Sequence, residues 1–543
     1  MVSLWGSKKP DGDDNDGASA SNAERPTSSR SPAPPREEHR STDERAPLLP
    51  RERRQPHSDG YLDPDDPAVS PYNLWSVRLV RHLTVLFLAV TFIWWVLLLV
   101  SIFVTPPGLS TRGSGFYDFS YTTLTAGNLL VTLLFFTAPS RAMRVLLGVV
   151  SFMLFVDMVI IVSVHRLRAE ESGPGIASIV WAVFMGIWCI VTDRIVAWGK
   201  KEEEERLTGR AETRRTVSEW AKVTLATVVL SVYVVIAVFM TATLIIRASD
   251  AGLKIPGERI RINGNKYDVH LACVGNSTFD VAGNKVPTVL LEAGENPVEY
   301  QLAPWALAAQ ENGTISRYCY WDRPGYGWSD NAPSPHTAGM SADALSEALA
   351  IQGETGPWVL VSAGYGSVVS RIFSSRHARM VTGVLLIDPL HEDLLYRLAQ
   401  PGRGFILWAY GIISPLGIEK VLGAVFKHRT KEDRVYGKVA YQGGKFIKAQ
   451  LQENLVADSL TKSELVTARN IQSPETPFVL ISSGVSNKRD SDWERKQRDL
   501  TKLTDKLVAW DVVDRAPHEV WRTFEGREIM EKRVKQLLSA NSL

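Results

Sequence analysis

Hydrophobic and polar positions divide the chain into three zones. Between residues 73 and 250 the apolar positions gather into five stretches, 83–104, 117–138, 145–164, 176–197 and 221–246. Each is long enough to cross a bilayer, which takes about 20 residues. The second is the least apolar, with several Thr and Asn128. A buried helix of a large soluble protein can imitate one such stretch, but hardly five in succession. From 251 to the end the pattern shortens to strand-length apolar runs alternating with helical ones, which predicts a mostly parallel sheet with helices on both faces. Residues 1–72 are dominated by Ser, Pro, Arg, Asp and Glu. They hold too little apolar surface to offset chain entropy and read as a disordered tail.

The basic residues orient the spans. Arg51, Arg53 and Arg54, the Arg141/Arg144 turn and the 200–222 loop fall on one side if five spans are counted. By the positive-inside rule that side is cytosolic, and residues 251–543 lie across the membrane. The sequons Asn276-Ser277-Thr278 and Asn312-Gly313-Thr314 agree, and make Asn276 and Asn312 candidate glycosylation sites. In the tail, Glu44-Arg45-Ala46-Pro47-Leu48-Leu49 resembles an acidic dileucine sorting signal. A vacuolar or other endomembrane is therefore favoured, with a mitochondrial membrane as the alternative. The acidic DGDDND run argues against a mitochondrial presequence. Asp157 falls mid-span and Asp193 near a span end beside Arg194. Acids in a bilayer are costly and are site candidates by default. The plainer readings are a hydrogen bond to a neighbouring helix for Asp157 and an interfacial ion pair for Asp193.

Within the distal zone, 258–262 and 266–275 around Asn263-Gly264 read as a hairpin. Residues 286–292 form an apolar strand ending in Ala293-Gly294-Glu295-Asn296, and 316–321 a strand leading into Asp322-Arg323-Pro324-Gly325-Tyr326-Gly327. The stretch WVLVSAGYGSVVSR, 358–371, is a β-branched run, a Gly-rich corner and the start of a helix. Strand, tight turn and helix are the setting of a nucleophile elbow, G-x-S-x-G. Here the pentad reads Ser362-Ala363-Gly364-Tyr365-Gly366, so the corner has small neighbours and no nucleophile.

LLEAGEN, YWDRPGYGWSD, the elbow, VTGVLLIDPLHEDL and a late APHEVW together resemble the α/β-hydrolase superfamily, in its chain order, from about 258 to the end. The spans ahead of them resemble a fungal group of integral membrane, hydrolase-like proteins. The resemblance implies a triad in the order nucleophile, acid, His. His518 matches the histidine loop and would be the general base. The acid is Asp388, or Asp490 or Asp492 past the 478–482 strand, with Asp393 a further alternative; Asp388 is preferred. The oxyanion hole would be the backbone N–H of Tyr365 and one from Gly294 or Glu295. Gly364 precedes Arg371 by the seven positions that separate elbow Ser and Arg in the superfamily, so Ser362 and Ser367 are read as packing positions. A water activated by His518 stays open as a route to hydrolysis.

An insertion at about 394–475 has a helical pattern and resembles the superfamily's cap. Its apolar run 405–426 would roof a greasy pocket or rest on the membrane, which suits membrane lipids and an apolar or lipid-like small ligand. Cys189 is intramembrane, while Cys273 and Cys319 fall on strands that the superfamily's strand order would make neighbours; a disulfide is open to them in an oxidising lumen, and two buried thiols are the preferred reading. No metal-ligand spacing or phosphate-binding loop is evident, so no metal or cofactor is expected. Net charge is only +2, which argues against a nucleic-acid partner. Three functions follow: a hydrolase-like binding or regulatory module, an ester or lipid hydrolase by an unorthodox route, or a transporter or scaffold acting through the spans.

Overall fold

The structure, a computed structural model, describes residues 71–209, 216–279 and 283–539. The tail and its dileucine-like signal lie outside the described residues. Five helices come first: α1 Trp75–Phe103, α2 Phe116–Leu134, α3 Arg141–Ser163, α4 His165–Thr208 and α5 Val217–Asp250. The expected apolar helices are present, and four of them, all but α2, are by themselves long and apolar enough to cross a membrane. α2 has 19 residues and carries Asp118, Asn128 and several Thr, most of them buried against the other helices. It needs its neighbours, because a polar helix cannot face hydrocarbon alone. The outward faces of the others carry exposed apolar side chains such as Phe92, Ile93, Phe184 and Val232. Asp157 on α3 accepts a hydrogen bond from Tyr121 of α2 at 3.2 Å. Asp193 pairs with Arg144 at 2.9 Å rather than with adjacent Arg194.

The distal domain is an eight-stranded sheet of β1 Glu258–Ile262, β2 Tyr267–Gly275, β3 Thr288–Glu292, β4 Arg317–Asp322, β5 Trp358–Ala363, β6 Val381–Ile387, β7 Phe478–Ser483 and β8 Leu507–Val513. Its order is β1-β2-β4-β3-β5-β6-β7-β8. The β1/β2 and β2/β4 pairs are antiparallel and the rest parallel. Asn263, Gly264 and Asn265, all at positive φ, turn the first hairpin. The central strands are apolar throughout because helices cover both faces. Between strands lie α6 Val298–Gln301, α7 Ala303–Glu311, α8 Ala338–Ile351 and α9 Gly366–Arg376. The insertion after β6 is helical, as expected of a cap: α10 Pro401–Ile413, α11 Ile418–Phe426, α12 Lys431–Val435, α13 Gly444–Val456 and α14 Lys462–Ile471. After β7 come α15 Gly484–Arg489 and α16 Ser491–Leu500, and α17 Phe524–Ser539 closes the fold.

The bundle and the domain are stitched together at the ends of the helices. Thr105 donates its N–H to the Ser334 carbonyl at 2.9 Å, and Asn331 donates to the Arg112 carbonyl at 2.8 Å. Gly411 of α10 lies directly against the Phe116 ring, leaving no room for a Cβ.

Cys273 and Cys319 are not two thiols. They face each other across the antiparallel β2/β4 pair and form a disulfide. The cross-strand register brings the sulfurs together, which spacing along the chain cannot reveal. The disulfide closes a 46-residue separation. Its removal in Cys273→Ser is expected to cost about 2–4 kcal/mol. Denaturant unfolding of the full-length protein with and without reductant checks this, since reductant should lower the midpoint of the wild type only.

Candidate active site

β5 ends at the elbow and α9 begins at Gly366, with only Gly364 and Tyr365 to reverse the direction. Gly364 sits at φ +47°, a conformation that costs glycine little and any other residue more. Gly366 has the Ala293 carbonyl pressed against it, so the strand-to-helix corner is as tight as the pentad requires.

His518 lies in the loop after β8. Its Nδ1 is 2.6 Å from an Asp388 carboxylate oxygen. Asp388, at the end of β6, is fully buried and also accepts from the Ser483 N–H, the Ser486 hydroxyl and the Trp493 indole. The other acids are engaged elsewhere. Asp490 caps α16 and pairs with Arg397 at 2.5 Å, Asp492 lies 3.6 Å from Arg397, and Asp393 pairs with Lys496 at 2.5 Å. Ser362 is fully buried, and Ser367, also buried, donates to the Gly364 carbonyl at 2.6 Å. Neither hydroxyl reaches His518.

The side chain of Glu295 occupies the space a nucleophile would fill. A Cβ built on Gly364 would lie 2.5 Å from Glu295 Oε1 and 3.0 Å from His518 Nε2. The other Glu295 oxygen stands 3.4 Å from Nε2. The imidazole is therefore held between two carboxylates. Partial burial alone would lower its pKa, but hydrogen bonds to Asp388 and Glu295 and their charges push it up to about 10. Crowding at the loop would raise Glu295, whose side chain is half-exposed, yet the nearby His518 holds it below the ordinary glutamate range. These directions favour an imidazolium facing a carboxylate, an arrangement in which Nε2 keeps its proton.

The proposed oxyanion donors need one correction. The Gly294 N–H donates to Gln301 Oε1 at 2.8 Å, because α6 presents that side chain under the loop. Tyr365 remains as a backbone donor, while the Glu295 N–H is turned to its own carboxylate. The loop is held by a residue that pattern reading passed over. Arg323, buried in the DRPGYG segment, grips Glu292 at 2.9 Å and the Gly294 carbonyl at 2.6 Å. The cavity lined by Glu295, Gly364, Tyr365, Trp493 and His518 encloses about 90 Å³. That is room for waters or a small group, not for a lipid chain.

The His518–Asp388 contact sets a pH dependence. Below the ordinary histidine pKa of about 6.5 the ring is protonated in folded and unfolded chains alike, and its pairing contributes in full. As pH rises from there through about 10, the folded chain keeps a proton the unfolded chain has lost, and the contribution fades. The stability difference between wild type and His518→Gln is expected to shrink over that window, read from denaturation midpoints against pH.

Among the described residues, His270, Glu299 and Asp322 also bring three metal-ligand atoms together away from this site. His270 Nδ1 is 2.9 Å from Asp322, while the Glu299 carboxylate beside them has no hydrogen-bond partner.

Sheet order, elbow and histidine loop define an α/β-hydrolase fold behind a membrane-type helical region. The chain belongs to the family of a Schizosaccharomyces pombe protein described as uncharacterised, with which it is 32% identical over 505 residues, 87% of this chain and 92% of that one. It is 28% identical over 318 residues to an uncharacterised vacuolar membrane protein of Saccharomyces cerevisiae, covering 50% of this chain and 49% of the relative. A family described as a region of unknown function, DUF2417, matches residues 44–273. Among solved structures, an α/β-hydrolase enzyme from a Medee basin deep-sea metagenome library aligns at 13% identity and TM-score 0.36, over 52% of this chain and 97% of that one.

Proposed function

We propose that this is a multi-pass protein of the vacuolar membrane whose lumenal hydrolase-fold domain is a binding or regulatory module, with its nucleophile position plugged by Glu295. The observation that carries the reading is the pairing of Gly364 with the Glu295 carboxylate in the space of the missing hydroxyl. A charged imidazole locked between Asp388 and Glu295 is a poor general base, so neither a serine nor a water is activated in this state. The vacuolar placement is supported by the printed description of the budding yeast relative and by the apolar helices. A disulfide and two exposed sequon asparagines, Asn276 and Asn312, suit an oxidising, glycosylating lumen.

The test is exposure of the full-length protein, in native membranes, to a fluorophosphonate that reacts with activated serines. Wild type should stay unlabelled. Labelling that Ser362→Ala or Ser367→Ala abolishes would overturn the reading. A second reading, hydrolysis with Glu295 itself as nucleophile, draws on its closeness to His518. It requires a covalent adduct on Glu295, visible as a mass shift of its peptide after incubation with an activated ester.

A further inference from the structure

Where the helical bundle meets the distal domain, a second cavity of about 100 Å³ is enclosed by the ends of α2, α4 and α5, the cap and the start of α13. None of its lining residues belongs to the Gly364–His518 site. Five lining side chains are cationic: Arg166, Arg247, Lys420, Arg434 and Lys445. Only Glu170 and Asp250 are acidic. Glu170 is shared between Arg247 at 2.9 Å, Lys445 at 3.4 Å and Arg166 at 3.6 Å. Asp250 is taken by Arg434, whose Nε lies 3.1 Å from both its oxygens. Glu171 meets Arg247 at 2.9 Å from outside the lining. Five cations against these three carboxylates leaves two positive charges in excess. Lys420 makes no ion pair with any carboxylate among the described residues.

A separate observation points into the same space. Tyr117 is 5% exposed and lines the cavity, and its hydroxyl has no hydrogen-bond partner. Gly443, the N-cap of the 13-residue α13, and residues 444–446 of its first turn also line it, adding the N–H end of a helix. Uncompensated charge in a half-buried space is costly, and a bound anion would relieve it. The volume admits one tetrahedral oxyanion and no acyl chain. The cavity stands at the end of the bundle that adjoins the domain, beside the α10–α11 hairpin whose Phe405, Ile406 and Phe426 are exposed. A lipid head can reach such a place while its chains stay in the bilayer.

We propose that this junction cavity binds a phosphate group, carried by a soluble phosphate or by the head of an anionic phospholipid. The multivalent charge of phosphate matches the cation surplus, and the Tyr117 hydroxyl supplies a neutral donor.

The test uses full-length protein in phosphate-free detergent, and in nanodiscs of phosphatidylcholine with or without phosphatidic acid. Thermal unfolding is followed against inorganic phosphate, with chloride at matched ionic strength as control, and against phosphatidic acid content. Stabilisation by inorganic phosphate identifies a soluble ligand. Stabilisation by phosphatidic acid alone identifies a lipid head. Lys420→Gln is expected to weaken the response about tenfold, the loss typical of one charge-assisted hydrogen bond. No stabilisation by either, or an unchanged response in Lys420→Gln, overturns the site. If the lysine variant does not fold, Tyr117→Phe carries the same test, since its hydroxyl holds nothing in the unliganded protein.

Discussion

The double variant Gly364→Ser, Glu295→Ala is expected to react with a fluorophosphonate about a hundredfold to ten-thousandfold faster than Gly364→Ser alone, the usual worth of a general base. In the single variant the new Cβ meets Glu295 Oε1 at 2.5 Å, so the glutamate must swing aside, and it remains near enough to keep the imidazole charged. A charged imidazole cannot take the serine proton. Removing the glutamate as well frees Nε2, drops the histidine pKa and leaves Asp388 to orient the ring from Nδ1. The Tyr365 N–H still borders the position where an oxyanion would form. Intact-mass kinetics of adduct formation measure both rates. Equal rates would mean that Glu295 does not silence the site, and that the missing serine is the whole of the difference.

Arg323→Ala is expected to cost about 3–5 kcal/mol of stability, the scale of breaking a buried ion pair by removing one partner. Its guanidinium is only 4% exposed, as against 3% for the Glu292 carboxylate, and it also lies 3.4 Å from Glu453. It packs over the Tyr326 and Tyr365 rings as well. Burial pushes Glu292 up to about 7 even with the arginine in place, so in the variant Glu292 can protonate and limit the loss. Arg323→Lys keeps the charge but loses the fork that reaches the Gly294 carbonyl, and should loosen the loop that carries Glu295. Denaturant unfolding of the full-length variants checks both. A loss below about 1 kcal/mol, the scale of an exposed pair, would show that the loop is held by other means.

Much of the fold was legible because it rests on local pattern. The β5 strand, the Gly-rich corner and α9 could be read from 358–371 since each is dictated by near neighbours. The helical cap and the crossover strands follow from the same periodicities. α2 was harder to place: its Thr and Asn residues weaken the apolar signal because helices, not lipid, surround it. The candidate site divides in the same way. Gly364 at the centre of the pentad, and His518 and Asp388 in their loops, were all visible in the sequence. The four candidate acids, with Asp388 preferred, could not be settled along the chain, because Asp388 and His518 are 130 residues apart and meet only when the sheet assembles.

The sequence by itself determined where apolar segments, strands and the elbow fall, and that glycine stands at the elbow's central position. These are properties of residue type and spacing. Only the tertiary structure decided that Glu295, read as a backbone donor, turns its carboxylate into the vacant space. It also decided that Cys273 and Cys319 are joined, that Gly294 has already donated its N–H, and that five cations from separate elements surround one cavity. Each is a contact between side chains far apart in the chain, set by sheet register and by the docking of the bundle on the domain. Pattern along a chain carries no information about which distant residues share a volume of a few ångströms.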